Sequence, residues 1–158
     1  MKVKHIVDED IVNYKKASMV VAFPHCTFKC GDACQNKHLK DAPDIEVYPA
    51  AIAKRYITNP FTSAVVFQGL EPLDSLSDVF SLIIALRNVC NDDIVVYTGY
   101  NEHDHPVQML TKFVQDHGFE RIILKVGKYL ENHQSVYSYE LGVELASDNQ
   151  YAFEIKLS

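Results

Sequence analysis

The sequence has no tryptophan and few residues of the types that mark special architectures, with 4 cysteines, 6 glycines and 6 prolines in 158 residues. Four cysteines are too few for a disulfide scaffold of this length. The chain also lacks an excess of basic charge, because 15 Lys and Arg face 21 Asp and Glu and give a net charge of −6. This balance argues against a nucleic acid or an anionic membrane surface as the main partner.

Long apolar runs are absent as well. No stretch approaches the roughly 18 apolar residues that a membrane-spanning helix needs. The first 16 residues, MKVKHIVDEDIVNYKK, contain neither the apolar core nor the cleavage site of a signal peptide. We therefore expect a soluble, cytoplasmic protein. Proline and glycine occur singly, and the chain has no repeat, low-complexity tract or linker, so residues 1–158 are predicted to form one domain.

Short apolar runs with high β-propensity alternate with helical patterns along the chain. Predicted strands cover residues 19–23, 64–68, 93–99, 121–127 and 151–155. Predicted helices cover residues 49–58, 73–90 and 106–117, and residues 129–139 are predicted to be a loop. The alternation predicts an α/β fold with a mainly parallel sheet and flanking helices.

Four polar or glycine-bearing loops follow the predicted strands. They are the cysteine-rich segment after residue 23 and residues 69–72, 97–99 and 125–127. The carboxyl ends of parallel strands meet at one edge of a sheet, where ligands of such sheets bind. We therefore expect these four loops to form one site.

The cysteines are clustered: three of the four, Cys26, Cys30 and Cys34, fall within nine positions. They could be buried core residues, a thiol redox loop or part of a zinc site. The fourth ligand of a zinc site could come from His25, His38 or Cys90. They could also hold a [4Fe-4S] cluster with one iron left open for a substrate or cofactor. The fourth cysteine, Cys90, falls on the apolar face of the predicted helix 73–90 and is expected in the core.

Two motifs of this chain resemble those of the radical S-adenosylmethionine (SAM) enzymes. One is the three-cysteine loop after the first predicted strand; the other, Gln68-Gly69-Leu70-Glu71-Pro72, is similar to their GGEP motif. The chain more closely resembles the small activating enzymes of anaerobic (class III) ribonucleotide reductase. That likeness extends over nearly the whole chain and is carried by residues 13–14 (NY), 23–30 (FPHCTFKC), 34–36 (CQN), 97–100 (YTGY) and 141–151.

The resemblance implies a minimal partial (β/α) barrel and a radical SAM oxidoreductase of anaerobic metabolism. In such enzymes Cys26, Cys30 and Cys34 would each ligate one iron of a [4Fe-4S] cluster, and the amino and carboxylate groups of SAM would chelate the fourth iron. One electron from the reduced cluster would then split SAM into methionine and a 5′-deoxyadenosyl radical. No catalytic group is implied beyond the cluster and SAM.

The resemblance also implies which residues contact the cofactors and which partners act with the chain. The expected cofactor-binding residues are Phe28, Ala33, Asn36, Gly69, Leu70, Glu71, Pro72, Tyr97, Thr98 and Lys125. The implied protein substrate is the large subunit of anaerobic ribonucleotide reductase, which would receive a glycyl radical. An electron donor such as flavodoxin or ferredoxin is implied too. A radical SAM enzyme with another target and a non-catalytic, zinc-stabilised binding module are the alternatives.

Overall fold

The computed structural model describes residues 1–27 and 36–158. Within these ranges the strands are β1 (Lys2–Val3), β2 (His5–Asp10), β3 (Ser18–Phe23), β4 (Ile45–Glu46), β5 (Ala64–Gly69), β6 (Asp93–Tyr97), β7 (Ile122–Val126), β8 (Val136–Ser138), β9 (Val143–Leu145) and β10 (Tyr151–Glu154). The α-helices are α1 (Pro49–Ile57), α2 (Leu76–Arg87) and α3 (His105–His117), and short 3-10 helices cover Lys37–Leu39 and Pro72–Ser75. None of the helices in the described ranges is long and apolar enough to cross a membrane.

The main sheet has six strands in the order β10-β7-β6-β5-β3-β2. Its four central strands, β3, β5, β6 and β7, are parallel, whereas the edge strands β2 and β10 are antiparallel to their neighbours. Two further two-stranded sheets pair β1 with β4 and β8 with β9. The predicted α/β fold with flanking helices is confirmed, and the sheet is mixed.

The three α-helices cover one face of the main sheet. The chain adds β5, β6 and β7 in the same direction from β3, and right-handed crossovers between strands added in one direction put their helices on one face. Leu82 of α2 and Leu110 of α3 accordingly share a buried cluster with Phe67 of β5. Burial of this apolar cluster stabilises the packing of the helices on the sheet.

The opposite face of the sheet is covered without helices. Tyr14, in the segment between β2 and β3, and Leu141, between β8 and β9, pack with Val66 and Val95 in a second buried cluster. The central strands are therefore buried on both faces, which explains their nearly continuous apolar sequences.

The predicted helix 73–90 is shorter in the structure. Its first residues form the 3-10 helix Pro72–Ser75, which the Glu71 carboxylate caps by accepting a hydrogen bond from Leu73 N. Ser75 precedes α2 and makes no side-chain capping bond. The α-helix ends at Arg87, before a run of weak helix formers. Cys90 lies beyond the helix but still packs, partly buried, against the core.

Several strands have no counterpart in the sequence prediction. The predicted loop 129–139 contains β8, which is three residues long and pairs only with the equally short β9 within the described residues. Strand β2 was also not predicted, because its second half, Asp8 to Asp10, is acidic and lies at the sheet edge. Short strands and edge strands bury few side chains, so their sequences contain too few alternating apolar residues to predict a strand.

Candidate functional site

A cavity of about 280 Å³ opens at the carboxyl ends of the parallel strands, as the loops of the sequence predict. Eight of the predicted site residues line it: Cys26, Asn36, Gly69, Leu70, Glu71, Tyr97, Thr98 and Lys125. Pro72 is buried beneath the loop rather than in the lining. Phe28, Cys30, Ala33 and Cys34 fall in residues 28–35, outside the described residues.

The loop after β5 lies directly against the start of the cysteine segment. Parallel pairing of β3 and β5 continues past the strand ends, because Leu70 N donates to Phe23 O at 3.2 Å and Glu71 N to His25 O at 2.7 Å. Gly69 makes this approach possible. It has a φ of +103°, and a Cβ there would lie 2.6 Å from Phe23 N. The backbone of the predicted SAM-binding motif is thereby held beside Cys26.

The far end of the cysteine segment is tied to the same loop. The Asn36 side-chain amide donates a hydrogen bond to the carbonyl oxygen of Gly69 at 2.6 Å. Asn36, predicted to contact the cofactor, thus has a direct contact with the glycine that follows β5. Both flanks of residues 28–35 therefore meet the residue 69–71 backbone.

Glu71 joins two of the loops around the cavity. Its carboxylate accepts hydrogen bonds from Thr98 Oγ1 at 2.8 Å, Gly99 N at 2.7 Å and Leu73 N at 3.0 Å. The side chain is only 1% exposed, and this burial raises the pKa of Glu71 to about 7, against the opposing effect of the three hydrogen bonds. The arrangement assigns Glu71 to holding the β5 and β6 loops together.

Lys125 supplies a buried positive charge at the cavity wall. It is 8% exposed, and its ammonium group donates to Gly127 O at 2.9 Å. Burial lowers the pKa of Lys125 to about 8, while the nearby Glu71 carboxylate opposes that shift. The group therefore stays mostly protonated at neutral pH, as binding an anionic group requires.

Tyr97 closes the cavity on the side opposite the helices. Its hydroxyl donates to Asn13 O at 2.5 Å, and burial raises its pKa. The Lys125 ammonium lies 5.9 Å from the centre of the Tyr97 ring, within cation–π range. Thr98 next to it is turned toward Glu71, so its hydroxyl serves the loop framework.

The sequence prediction missed part of the lining. Gly99 and Gly127 belong to loops that the sequence places at the site, and Gln68 belongs to the predicted motif. The lining residues outside these predictions are Asn13, Lys128, Tyr129, Glu144, Leu145, Ala146 and Gln150. Most come from the segments that cover the helix-free face of the sheet. Their signal in the sequence was the family likeness of residues 13–14 and 141–151, rather than any periodic pattern.

The described residues do not by themselves form a metal site. Residues 1–27 and 36–158 contain no group of three His, Cys, Asp or Glu side chains that could hold a metal ion. Cys90 precedes β6 whereas Cys26 follows β3, so the two lie at opposite edges of a parallel array. Cys90 is thereby removed as a fourth ligand beside Cys26. Among the described residues, the thiol at the cavity is Cys26, which is half-buried.

The chain matches the model of a known family. Residues 16–138 match the model of a family described as a 4Fe-4S single cluster domain, which is associated with radical SAM proteins. The match begins before β3 and ends in β8, so it includes all three central crossovers and the whole cysteine segment. A search of curated proteins found no match.

Proposed function

The chain belongs to the family of 4Fe-4S single cluster domains, and on that premise we propose that it is a radical SAM activase that generates a glycyl radical on anaerobic ribonucleotide reductase. The observation that carries the proposal is the shared cavity of Cys26 and the Gly69-Leu70-Glu71 backbone. A thiolate and a glycine-containing loop with a close backbone approach are the two elements that this chemistry needs side by side.

The donor set fits an iron–sulfur cluster with one open iron. Cys26 would hold it at the cavity, together with Cys30 and Cys34 of residues 28–35. Thiolates are the usual ligands of such clusters, and a three-thiolate set leaves one iron for a small molecule. A cluster held by these three thiolates would, when reduced, supply the electron that splits bound SAM into methionine and a 5′-deoxyadenosyl radical.

The remaining residues bind, orient and shield. Lys125 attracts the carboxylate of SAM, because its ammonium is buried at the cavity wall. The backbone after β5 offers carbonyl oxygens to the SAM ammonium, and Glu71 keeps that backbone fixed to β6 through Thr98 and Gly99. Tyr97 limits water on the helix-free side. These groups position the cofactor, whereas the cofactor supplies the reaction.

The fold supports a protein substrate. Strands added in one direction with all helices on one face are compatible with one arc of a (β/α) barrel, and such an arc would leave a wider lateral opening than a closed barrel. A loop of the reductase large subunit fits such an opening better than a small molecule does. The electron would come from a donor such as flavodoxin or ferredoxin, and the proposed setting is anaerobic cytoplasm.

SAM cleavage tests the proposal. Protein purified without oxygen is reconstituted with iron and sulfide, reduced and incubated with SAM, and methionine and 5′-deoxyadenosine are measured. We expect cleavage by the wild type and by Cys90→Ala, and none by Cys26→Ala. A fully formed cluster without cleavage would sink the proposal. One zinc and no iron after anaerobic purification would favour the zinc-stabilised binding module instead.

The identity of the partner needs a second experiment. The reduced, SAM-loaded protein is mixed with the large subunit of anaerobic ribonucleotide reductase, and electron paramagnetic resonance detects the glycyl radical. We expect the radical on the reductase. A radical that forms only on a different glycyl-radical enzyme would keep the radical SAM chemistry and overturn the partner.

A further inference from the structure

Asp74 contacts the cysteine segment from outside the predicted motif. It lies in the 3-10 helix Pro72–Ser75, three residues after Glu71. One carboxylate oxygen accepts a hydrogen bond from the backbone N–H of Thr27 at 2.6 Å. The other accepts from the Tyr100 hydroxyl at 2.5 Å. Thr27 directly follows Cys26, so the carboxylate is bonded to the peptide group next to the first cysteine.

This contact restricts the orientation of Cys26. The N–H of Thr27 belongs to the peptide plane that includes the carbonyl of Cys26, and that plane is rigid. Fixing the direction of the N–H therefore fixes the rotation between the Cα and the carbonyl carbon of Cys26. A hydrogen bond to an ionised carboxylate is shorter and stronger than one between neutral groups, which suits it to hold a residue outside regular structure.

Asp74 is itself held in place. Its backbone N–H donates to Glu71 O at 3.1 Å within the 3-10 helix. Tyr100, which follows β6, pins the second oxygen and lies 3.4 Å from Thr27 Oγ1. The carboxylate is thus fixed from two strands, β5 through its own helix and β6 through Tyr100. Because the carboxylate is fixed in this way, it can hold the backbone N–H of Thr27 in place.

We propose that Asp74 is a positioning residue for the iron–sulfur cluster: with Tyr100, it fixes the peptide after Cys26 so that the thiolate meets the cavity in one orientation. The inference rests on the proposed function, because it needs a cluster bound at Cys26. Partners that orient metal ligands contribute about 10- to 100-fold to metal retention.

The test measures cluster retention, which does not depend on SAM cleavage. Wild type, Asp74→Ala, Asp74→Asn, Tyr100→Phe and the control Asp78→Ala are reconstituted without oxygen. Iron release to a chelator is followed by the loss of visible absorbance, and the reduced clusters are compared by electron paramagnetic resonance. Asp78 is the matched control, because it is also acidic and lies in the first turn of α2.

We expect Asp74→Ala to lose its cluster about 10- to 100-fold faster than wild type, with a broadened resonance spectrum. Asp74→Asn keeps an acceptor for Thr27 N and a donor for the Tyr100 oxygen, so it should restore most of the retention. Tyr100→Phe should fall between them, and Asp78→Ala should match wild type. If Asp74 only stabilised the fold, Asp74→Asn would not restore both the resonance spectrum and the cluster retention.

Three results would overturn the inference alone, and a fourth would overturn it together with the proposed function. Equal release rates for Asp74→Ala and wild type would refute it, as would equal losses in Asp74→Ala and Asp78→Ala. If Asp74→Ala does not fold, the same comparison rests on Tyr100→Phe, whose unchanged retention and spectrum would also refute it. A wild type that forms no cluster at all would overturn the proposed function, and the inference with it.

Discussion

Replacing Gly69 by alanine is a direct test of how the site is assembled. Gly69 ends β5 with a φ of +103°, and an added Cβ would lie 2.6 Å from Phe23 N, 2.8 Å from Ala22 Cα and 2.9 Å from Ala22 C. All three atoms belong to the backbone of β3. No side chain can rotate to make room, so the strand itself or its loop must move.

The expected loss of stability has two parts. A non-glycine residue in this region of φ costs about 1–3 kcal/mol, and overpacking a filled site costs about 1–3 kcal/mol more. The sum is about 4 kcal/mol for Gly69→Ala. Gly118 gives the matched control, because its φ is +67° and nothing lies within 4 Å of its missing Cβ. Gly118→Ala should therefore cost only the backbone part, about 1–2 kcal/mol.

Urea unfolding of the cluster-free proteins measures the difference. We expect the free energy of unfolding to fall by about 2 kcal/mol more in Gly69→Ala than in Gly118→Ala, which is the overpacking part together with the less favourable φ. Reconstituted Gly69→Ala should also lose SAM binding, since the loop beside Cys26 is displaced. Equal losses of stability in the two variants would refute the close-approach argument.

Three further predictions concern buried polar and thiol groups. Burial raises the pKa of Glu71 to about 7, so the folded state holds a proton that the unfolded chain releases near pH 4.5. Relative to Glu71→Gln, the free energy of unfolding of wild type should therefore fall by up to about 3 kcal/mol between pH 4.5 and pH 7.5. A difference that stays flat or rises with pH would contradict this prediction. Tyr14→Phe removes the buried hydrogen bond from the Tyr14 hydroxyl to Asp93 Oδ2 at 2.8 Å and should lower the free energy of unfolding in urea by about 1.5–3 kcal/mol. Replacing the exposed Tyr139 by phenylalanine should change it by less than about 0.5 kcal/mol. Similar effects in the two variants would show that the contact with Asp93 adds no stability. Cys90→Ala should cost about 1 kcal/mol because Cys90 packs against the core, with an unchanged iron content, and loss of iron would make Cys90 a ligand.

The central strands can be predicted because their continuous apolar sequences indicate burial on both faces of a sheet. Ala64, Val65, Val66 and Phe67 are buried on both faces of the sheet, and a short continuous apolar run rich in β-branched residues is typical of a central strand. The same reasoning placed the loops after β5, β6 and β7 at one edge. The cavity lies where those loops meet.

The covering of the helix-free face was not predictable in the same way. Leu141 and Leu145 are almost fully buried, yet they stand in a polar segment whose two strands are three residues each. Their burial comes from contacts with strands far away in the sequence, such as β6. Local periodicity does not reflect such long-range contacts, so it does not predict this half of the cavity wall.

The contact between Asp74 and Thr27 is a second feature beyond the reach of sequence reasoning. In the sequence, Asp74 stands before an apolar helical pattern, where an aspartate is ordinarily a helix cap. In the structure its carboxylate instead bonds a residue 47 positions away. Only the pairing of β3 with β5 brings the two segments together.

The proposed function requires that a cluster held at Cys26 has an open iron facing the cavity. The direct measurement is the electron paramagnetic resonance spectrum of the reduced, reconstituted protein with and without SAM. Because SAM would bind the open iron, we expect a clear change in the g values of the cluster when SAM is added. A well-formed cluster whose spectrum is the same with and without SAM would contradict it.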